Sequence, residues 1–426
     1  MLRALTGLLC VYILRFADLQ PFRPISRRNN TYLQFDLGSI DPKLITNNFS
    51  MVSAVKVFKK TAPNGKITVY LGRRDFVDNT SSTEPVDGVV VCNNDYLRGR
   101  KVFATVTVTY RFGREEDEVM GLHFSKEMQF TSQQIYPTHE DNKMTEVQDR
   151  LLKKLGNDAH PFSVFLPESA PCSVQLHPGV EESSKPLGVI YELRVHAADN
   201  SEDVVHKRNS VTLAVRKVQY SPVDRYKRQP STLVSKGFTF SSGKLNMELN
   251  LDREVFYHGE QVTPTVSISN NSKKTVKGVK CAIVQHIEVT MTNAQFTREV
   301  ASLETKEGCP LLPGDHFQKK YYVIPLSSNK NKFGVALDGR IKDTDANLAS
   351  STLMKEGSNP NDALGIMVSY SVRVRLNCGA LGGELVADLP FKLVHPSPDS
   401  KKGQGDEIEF EDFARLRRGK SVDNQL

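Results

Sequence analysis

Tryptophan is absent from the 426 residues, and no cysteine stands in a C-x-x-C pair. The six cysteines, Cys10, Cys92, Cys172, Cys281, Cys309 and Cys378, are scattered along the chain. A disulfide scaffold would be denser and a zinc site would show paired spacing, so these read as reduced thiols of a cytosolic protein. No apolar run approaches the roughly 20 residues that span a membrane. The most apolar stretch, Leu8 to Leu14, lies between Arg3 and Arg15 and looks like a signal-peptide core. Arg15, Phe16 and Asp18 follow it, a poor cleavage pattern, although sequons at Asn29, Asn48, Asn79 and Asn270 would suit secretion. Enzyme signatures are missing too. Gly419-Lys420-Ser421 lacks the upstream glycine of a phosphate loop, the ten histidines show neither H-x-x-x-H nor H-E-x-x-H spacing, and there is no G-x-S-x-G. No enzyme, cofactor or metal centre is expected. The 27 glycines and 21 prolines are too few for a collagen-like or low-complexity chain. With 56 Lys plus Arg against 49 Asp plus Glu, the net charge of +7 excludes a histone-like polycation and suits anionic partners such as phosphates or acidic lipid.

What is present is mostly a period of two. Val102, Ala104, Val106, Val108, Tyr110 and Phe112 alternate with Thr105, Thr107, Thr109 and Arg111. Val368, Tyr370, Val372, Val374 and Leu376 alternate with Ser369, Ser371, Arg373 and Arg375, and Val211, Leu213 and Val215 repeat the pattern. Such segments, separated by turn signals at Pro63-Asn64-Gly65 and Asp87-Gly88, predict half-buried antiparallel strands in β-sandwiches. One segment differs: Met144, Val147, Leu151, Leu152 and Leu155 recur at helical spacing, behind a Thr145–Gln148 capping box and before Gly156. This predicts one amphipathic helix over about 144–155 lying on a sheet.

Composition divides the chain. Residues 1–50 show no clear period and read as a disordered extension or a spurious upstream start. A sandwich with the helix is expected over 51–220, a hinge at 221–230 (SPVDRYKRQP), a second sandwich over 231–395 and a charged tail over 396–426. The expected class is all-β: two antiparallel sandwiches, one short helix in the first, and an extended C-terminal tail.

Long motifs then carry a resemblance. Val57–Lys66 (VFKKTAPNGK), Tyr70–Asp78 (YLGRRDFVD), Arg111–Gly121 (RFGREEDEVMG), Arg150–Gly156 (RLLKKLG) and His206–Pro222 (HKRNSVTLAVRKVQYSP) run in order. Tyr257–Glu260 (YHGE), Leu337–Thr352 (LDGRIKDTDANLASST), Leu389–Pro396 (LPFKLVHP) and Phe410–Arg417 (FEDFARLR) complete the series. This set resembles the arrestins over residues 51–418, and residues 1–50 have no counterpart there. Gly379–Glu384 (GALGGE) and a short tail without a clathrin box are similar to the invertebrate photoreceptor branch.

The resemblance implies a binding protein that recognises active, phosphorylated G-protein-coupled receptors, with rhodopsin the receptor that the photoreceptor likeness implies, and blocks G-protein access. It implies a cytoplasmic protein recruited to the inner face of the membrane. Phosphate contacts would fall to Lys59, Lys60, Lys153, Lys154, Lys207, Arg208 and Arg216, with Thr212 standing where non-visual relatives carry another arginine. On a strand Lys59 and Lys60 point to opposite faces, so one groove receives both only if a bulge intervenes. A buried charge cluster, the polar core, would comprise Asp75, Arg216, Asp338, Asp345 and Arg415, and a receptor phosphate competing for Arg216 would open it. The rival reading of these residues is ordinary surface ion pairs.

The tail would dock through Val57, Phe58, Val147, Leu151, Phe410 and Phe413. A finger loop, Glu115, Glu116, Asp117, Glu118, Val119 and Met120, would enter the receptor. Phe410, Phe413 and Arg417 resemble the motif that engages the clathrin adaptor complex, which keeps open a second function as a non-visual, arrestin-type endocytic adaptor. Lys273, Lys274, Lys277 and Lys280 are a candidate site for inositol phospholipids, or else a solvated sheet edge. Ser421, in Arg418-Gly419-Lys420-Ser421, fits an R-x-x-S phosphorylation pattern. Neither nucleic acid nor a transmembrane segment enters this reading.

Overall fold

Alternation of apolar and polar residues becomes two pairs of facing sheets. The structure, a computed structural model, describes residues 55–78, 82–113, 118, 123–138, 144–167, 169–177, 187–221, 228–239, 242–327, 334–339, 347–354, 365–380, 382–395 and 408–412, with 55, 408, 409, 411 and 412 described for the backbone only.

The first sandwich uses β1 (Val55–Thr61), β2 (Ile67–Leu71), β3 (Asp75–Asp78), β4 (Val86–Cys92), β5 (Lys101–Arg111), β6 (Ser125–Tyr136), β7 (Ala159–Val164), β8 (Val174–Leu176), β9 (Gly188–Ala198) and β10 (Ser210–Gln219). The second uses β11 (Ser231–Gly237), β12 (Lys244–Asn250), β13 (Val255–Tyr257), β14 (Thr265–Asn270), β15 (Gly278–Val289), β16 (Ala294–Thr305), β17 (His316–Lys320), β19 (Ile366–Asn377) and β20 (Glu384–Val394). Two late strands return to the first sandwich: β18 (Ala336–Asp338) joins β8, and β21 (Ile408–Asp412) joins β1. The sheets run β21-β1-β2-β4-β7 and β18-β8-β9-β10-β3 with β5 between β6 and β9, then β11-β12-β14-β17 and β13-β20-β19-β15-β16.

Ile67, Val69, Leu71, Val86 and Val90 of one sheet bury against Val106, Tyr191, Leu193, Leu213 and Val215 of its partner. Leu245, Met247, Leu249, Val266 and Ile268 do the same against Ile283, Tyr370, Val372 and Leu389. The faces follow the period of two. Two departures are instructive. Thr105 and Thr107, on the polar side of β5, are as buried as their apolar neighbours, because β5 is central and flanking side chains such as Ser132 shield it. And not every pairing is antiparallel: β21 on β1, β3 on β10 and β13 on β20 are parallel.

A one-turn helix, α1 (Asn94–Leu97), was not expected from the sequence pattern. The expected helix is α2 (Glu146–Leu155), capped at Thr145 by the reciprocal Thr145–Gln148 bonds and closed at Gly156. Gln148 is buried, and its amide donates to the carbonyls of Gly88 (3.0 Å) and Phe162 (2.7 Å), bolting the helix to β4 and β7. Leu151 packs there with Val57, Tyr70, Val89 and Ala159. The sheet beneath is therefore covered on both faces, which accounts for the unbroken run Val89-Val90-Val91. Among the described residues no helix is long and apolar enough to cross a membrane.

Candidate functional site

The site begins at β10. Arg216 alternates away from Val211, Leu213 and Val215, and in the parallel register it lies beside Asp75 of β3. Its guanidinium donates two bonds of 2.6 Å to the Asp75 carboxylate and one of 3.1 Å to the Gly339 carbonyl. The arginine side chain is 11% exposed and the aspartate 45%, so this is a half-buried, bidentate pair rather than a surface contact.

Gly339 follows β18, which is held from both sides. Asp338 pairs with Val174 of β8 in the first sandwich. Gln285 of β15 donates to the Ala336 carbonyl (2.9 Å) and accepts from the Ala336 N–H (2.8 Å). Asp338 itself is buried. One oxygen meets His395 Nε2 at 2.5 Å and the other accepts the Ser350 N–H at 3.2 Å. His258 stands beside His395, and burial pushes its pKa down to about 4, so it is neutral.

The tail strand lies at the edge of the other sheet of this sandwich. β21 runs parallel to β1, with Val57 opposite Phe410 and Lys59 opposite Asp412. The Phe410 ring meets Tyr70 edge-on at 5.4 Å, and Lys154 Nζ sits 4.7 Å over it. Val57, Val147 and Leu151 meet in the cluster under α2. Phe58 does not join them; it turns to the main core of the sandwich, with the Arg74 guanidinium 4.2 Å above its ring. Adjacent strand residues point to opposite faces, so Val57 and Phe58 cannot share one.

Basic residues surround this edge. Lys60 Nζ donates to the Thr212 carbonyl of β10. Lys207 and Arg208 sit in an exposed 3-10 turn, Lys207–Asn209, whose Arg208 carbonyl accepts the Asn64 N–H at 3.1 Å. That bond brings the turn against the end of β1. Lys153 is exposed at the end of α2 and paired to Asp149 at 2.6 Å. The β1 pairings carry no bulge, so Lys59 falls on the α2 face with Val57 and Lys60 on the opposite face with Phe58. Lys153, Lys154, Lys207 and Arg208 add to the basic surroundings of β1.

Both domains have counterparts among known proteins. Residues 67–221 match the N-terminal domain of arrestin (or S-antigen), and residues 241–398 match the C-terminal domain. The chain is 56% identical over 393 residues to an arrestin homolog of Locusta migratoria, covering 86% of this chain and 97% of that one. It is 52% identical over 396 residues to a lateral eye arrestin of Limulus polyphemus, covering 88% and 98%. It is 51% identical over 393 residues to phosrestin-1 of Drosophila melanogaster, covering 86% and 98%. The chain belongs to the arrestin family.

In this arrestin the connection between β5 and β6, where a finger loop is expected from the sequence, is tied by hydrogen bonds at its base. The Phe112 N–H donates to the Phe124 carbonyl at 2.9 Å, above β5 and β6. Glu118 accepts the Phe124 N–H at 3.1 Å, which with His123 and Arg111 holds its carboxyl below the usual range. Glu115, Glu116, Asp117, Val119 and Met120 lie outside the described residues, as do Asp345, Phe413, Arg415, Arg417, Ser421 and residues 1–50. Of the lysine cluster, Lys280 is engaged by Glu299 at 2.9 Å, and it lies on β15, an inner strand between β16 and β19 rather than an edge. Lys273, Lys274 and Lys277 lie in the β14–β15 connection.

Two groups escaped the sequence pattern. Lys217 is fully buried, its Nζ 2.7 Å from Asp78 and bonded to the Ala170 carbonyl. The signal was available: Lys217 continues the apolar face of Val211, Leu213 and Val215, where a lysine demands an acid partner. His395 had no signal, because its partner is 57 residues away.

Proposed function

We propose that this arrestin ends signalling by binding activated, phosphorylated G-protein-coupled receptor at the inner face of the photoreceptor membrane, with rhodopsin as its receptor. The observation that carries the reading is the parallel docking of β21 on β1, beside the basic residues around β1, with Lys154 over the Phe410 ring. An acidic, phosphate-bearing receptor segment is the chemistry such an edge attracts, since backbone pairing supplies affinity and the cations supply charge-assisted bonds. Phosphate arriving there competes with the tail strand, and at Arg216 it competes with Asp75 for the same guanidinium. Loss of either contact frees the tail and loosens the segment that carries Gly339. The buried cluster is the bistable element, with Asp345 and Arg415 as its further members. The relatives named for the lateral eye and as phosrestins favour a visual receptor.

A second role stays attached to the first. Phe410 packs on Tyr70 and Lys154 while the tail is docked, although 38% of it stays exposed. Release would expose it, with Phe413 and Arg417, to the clathrin adaptor complex. Lys273, Lys274 and Lys277 would hold the protein at inositol phospholipids.

The test is a pull-down with photoactivated rhodopsin, phosphorylated and not, beside a non-visual receptor. Retention on phosphorylated, illuminated rhodopsin alone supports the reading. Equal retention on dark, unphosphorylated receptor would sink it.

A further inference from the structure

Three residues remote in the chain meet where the two sandwiches join. His258 follows β13, Asp338 ends β18 and His395 follows β20. One ring nitrogen from each histidine and one carboxylate oxygen of Asp338 lie within 4.8 Å of one another. The two imidazoles meet edge-on with centroids 4.8 Å apart. We propose that His258, Asp338 and His395 form a binding site for a single divalent transition-metal ion of the zinc class.

The supporting geometry is specific. Each backbone is pinned by a neighbouring strand or segment. His258 N–H donates to the Val394 carbonyl at 3.1 Å, His395 N–H to Gln219 at 3.2 Å, and Asp338 N–H to Asn347 at 3.1 Å. Behind the three groups stands Ser350. Its Oγ lies 3.0 Å from His258 Nε2, and its N–H donates at 3.2 Å to the Asp338 oxygen that does not face His395. One residue thus orients two of the three donors, the part that outer-shell groups play around bound metals. Asp338 is 3% exposed, and a carboxylate withdrawn that far from water gains from an adjacent positive charge. Both histidines are only partly buried, which leaves an approach for the ion and for a water as fourth ligand.

The donor set selects the metal. Two imidazoles and one carboxylate suit zinc, whereas magnesium and calcium prefer oxygen throughout. Bonds of about 2.0–2.1 Å in a tetrahedron hold donors roughly 3.3 Å apart. The 2.5 Å contact of Asp338 with His395 would open slightly and the widest separation would close, both by side-chain rotation. A bound ion would tie β18 to the ends of β13 and β20. It would also hold the carboxylate that the proposed switch needs, so metal occupancy would bias that switch toward one arrangement.

The experiment uses the full chain stripped by chelator and titrated with cobalt(II), then zinc(II). The expected result is a saturating visible band of four-coordinate strength at one cobalt per chain, displaced by zinc, with a zinc-dependent rise in Tm. His258→Asn and His395→Asn should each weaken binding by more than about 100-fold, beyond what outer-shell defects alone reach. Ser350→Ala should weaken it by about 10–100-fold, and His316→Asn, at an exposed histidine on β17, should bind as wild type. No saturating band in the wild type overturns the proposal whatever the variants do. The same band surviving in folded His258→Asn and His395→Asn overturns it equally, and leaves these residues as a hydrogen-bond network.

Discussion

Replacing Arg216 by glutamate should let the arrestin bind active receptor that carries no phosphate. Arg216 gives two bonds of 2.6 Å to Asp75 and one of 3.1 Å to the Gly339 carbonyl. Removing one partner of a fully buried pair costs about 3–5 kcal/mol, and an exposed pair is worth about 0–1 kcal/mol. Here the guanidinium is 11% exposed and the carboxylate 45%, so the loss lies between these limits, at about 2 kcal/mol. The new carboxylate also repels Asp75 and abandons Gly339. At about 1.4 kcal/mol per tenfold, the balance between docked and released tail moves by roughly 30-fold. The assay is retention on illuminated, unphosphorylated rhodopsin beside the phosphorylated form. The variant should bind both, and Asp75→Arg combined with Arg216→Glu should recover much of the phosphate requirement by re-forming the pair with exchanged charges. A variant with wild-type phosphate dependence would refute the reasoning, and Arg216–Asp75 would then be a structural ion pair only.

Phe410→Ala removes the ring that meets Tyr70 and Lys154. It should weaken tail docking by about 1 kcal/mol, read as roughly fivefold faster trypsin cleavage of the tail, and an unchanged rate would show that this contact contributes nothing. Thr145→Ala deletes the α2 cap and a 3.2 Å bond to Asp87; urea unfolding should report a loss of about 1–2 kcal/mol. Lys217→Met strands the Asp78 carboxylate, whose side chain is 14% exposed. It should cost about 3–5 kcal/mol, most of it regained on adding Asp78→Leu, and failure of that rescue would argue against a paired buried charge. His196 is buried with neither ring nitrogen bonded, and burial, aided by Arg194, lowers its pKa. The unfolded chain takes up this proton near pH 6.5 and the folded chain only below it, so stability is lost as pH falls from about 6.5. His196→Phe should gain about 1 kcal/mol at pH 7 and flatten the loss between pH 7 and 5; an identical slope would clear His196 of that role.

Much of this molecule could be read along the chain because the deciding forces are local. Val211, Leu213 and Val215 announce a strand and its buried face, and Arg216 its other face. Thr145, Gln148 and Gly156 mark both ends of α2, since capping satisfies backbone groups with residues a few positions away. Lys59, Lys60, Lys207 and Arg208 were legible only as basic residues in family motifs. That they gather around β1 was decided by tertiary packing, through the Asn64–Arg208 bond and the reach of Lys60 to Thr212, and the pairing of β21 with β1 needed the chain to return across some 350 residues. Phe58 shows the limit from the other side: the motif grouped it with Val57, and the pleat sent it to the opposite core. A period reports which way a side chain points, not what waits there. Asp338 needed the tertiary structure to meet His395 and His258, as Lys217 did to meet Asp78. Those partners are chosen by which sheet edges pack together, a balance of buried area and chain closure to which every strand contributes.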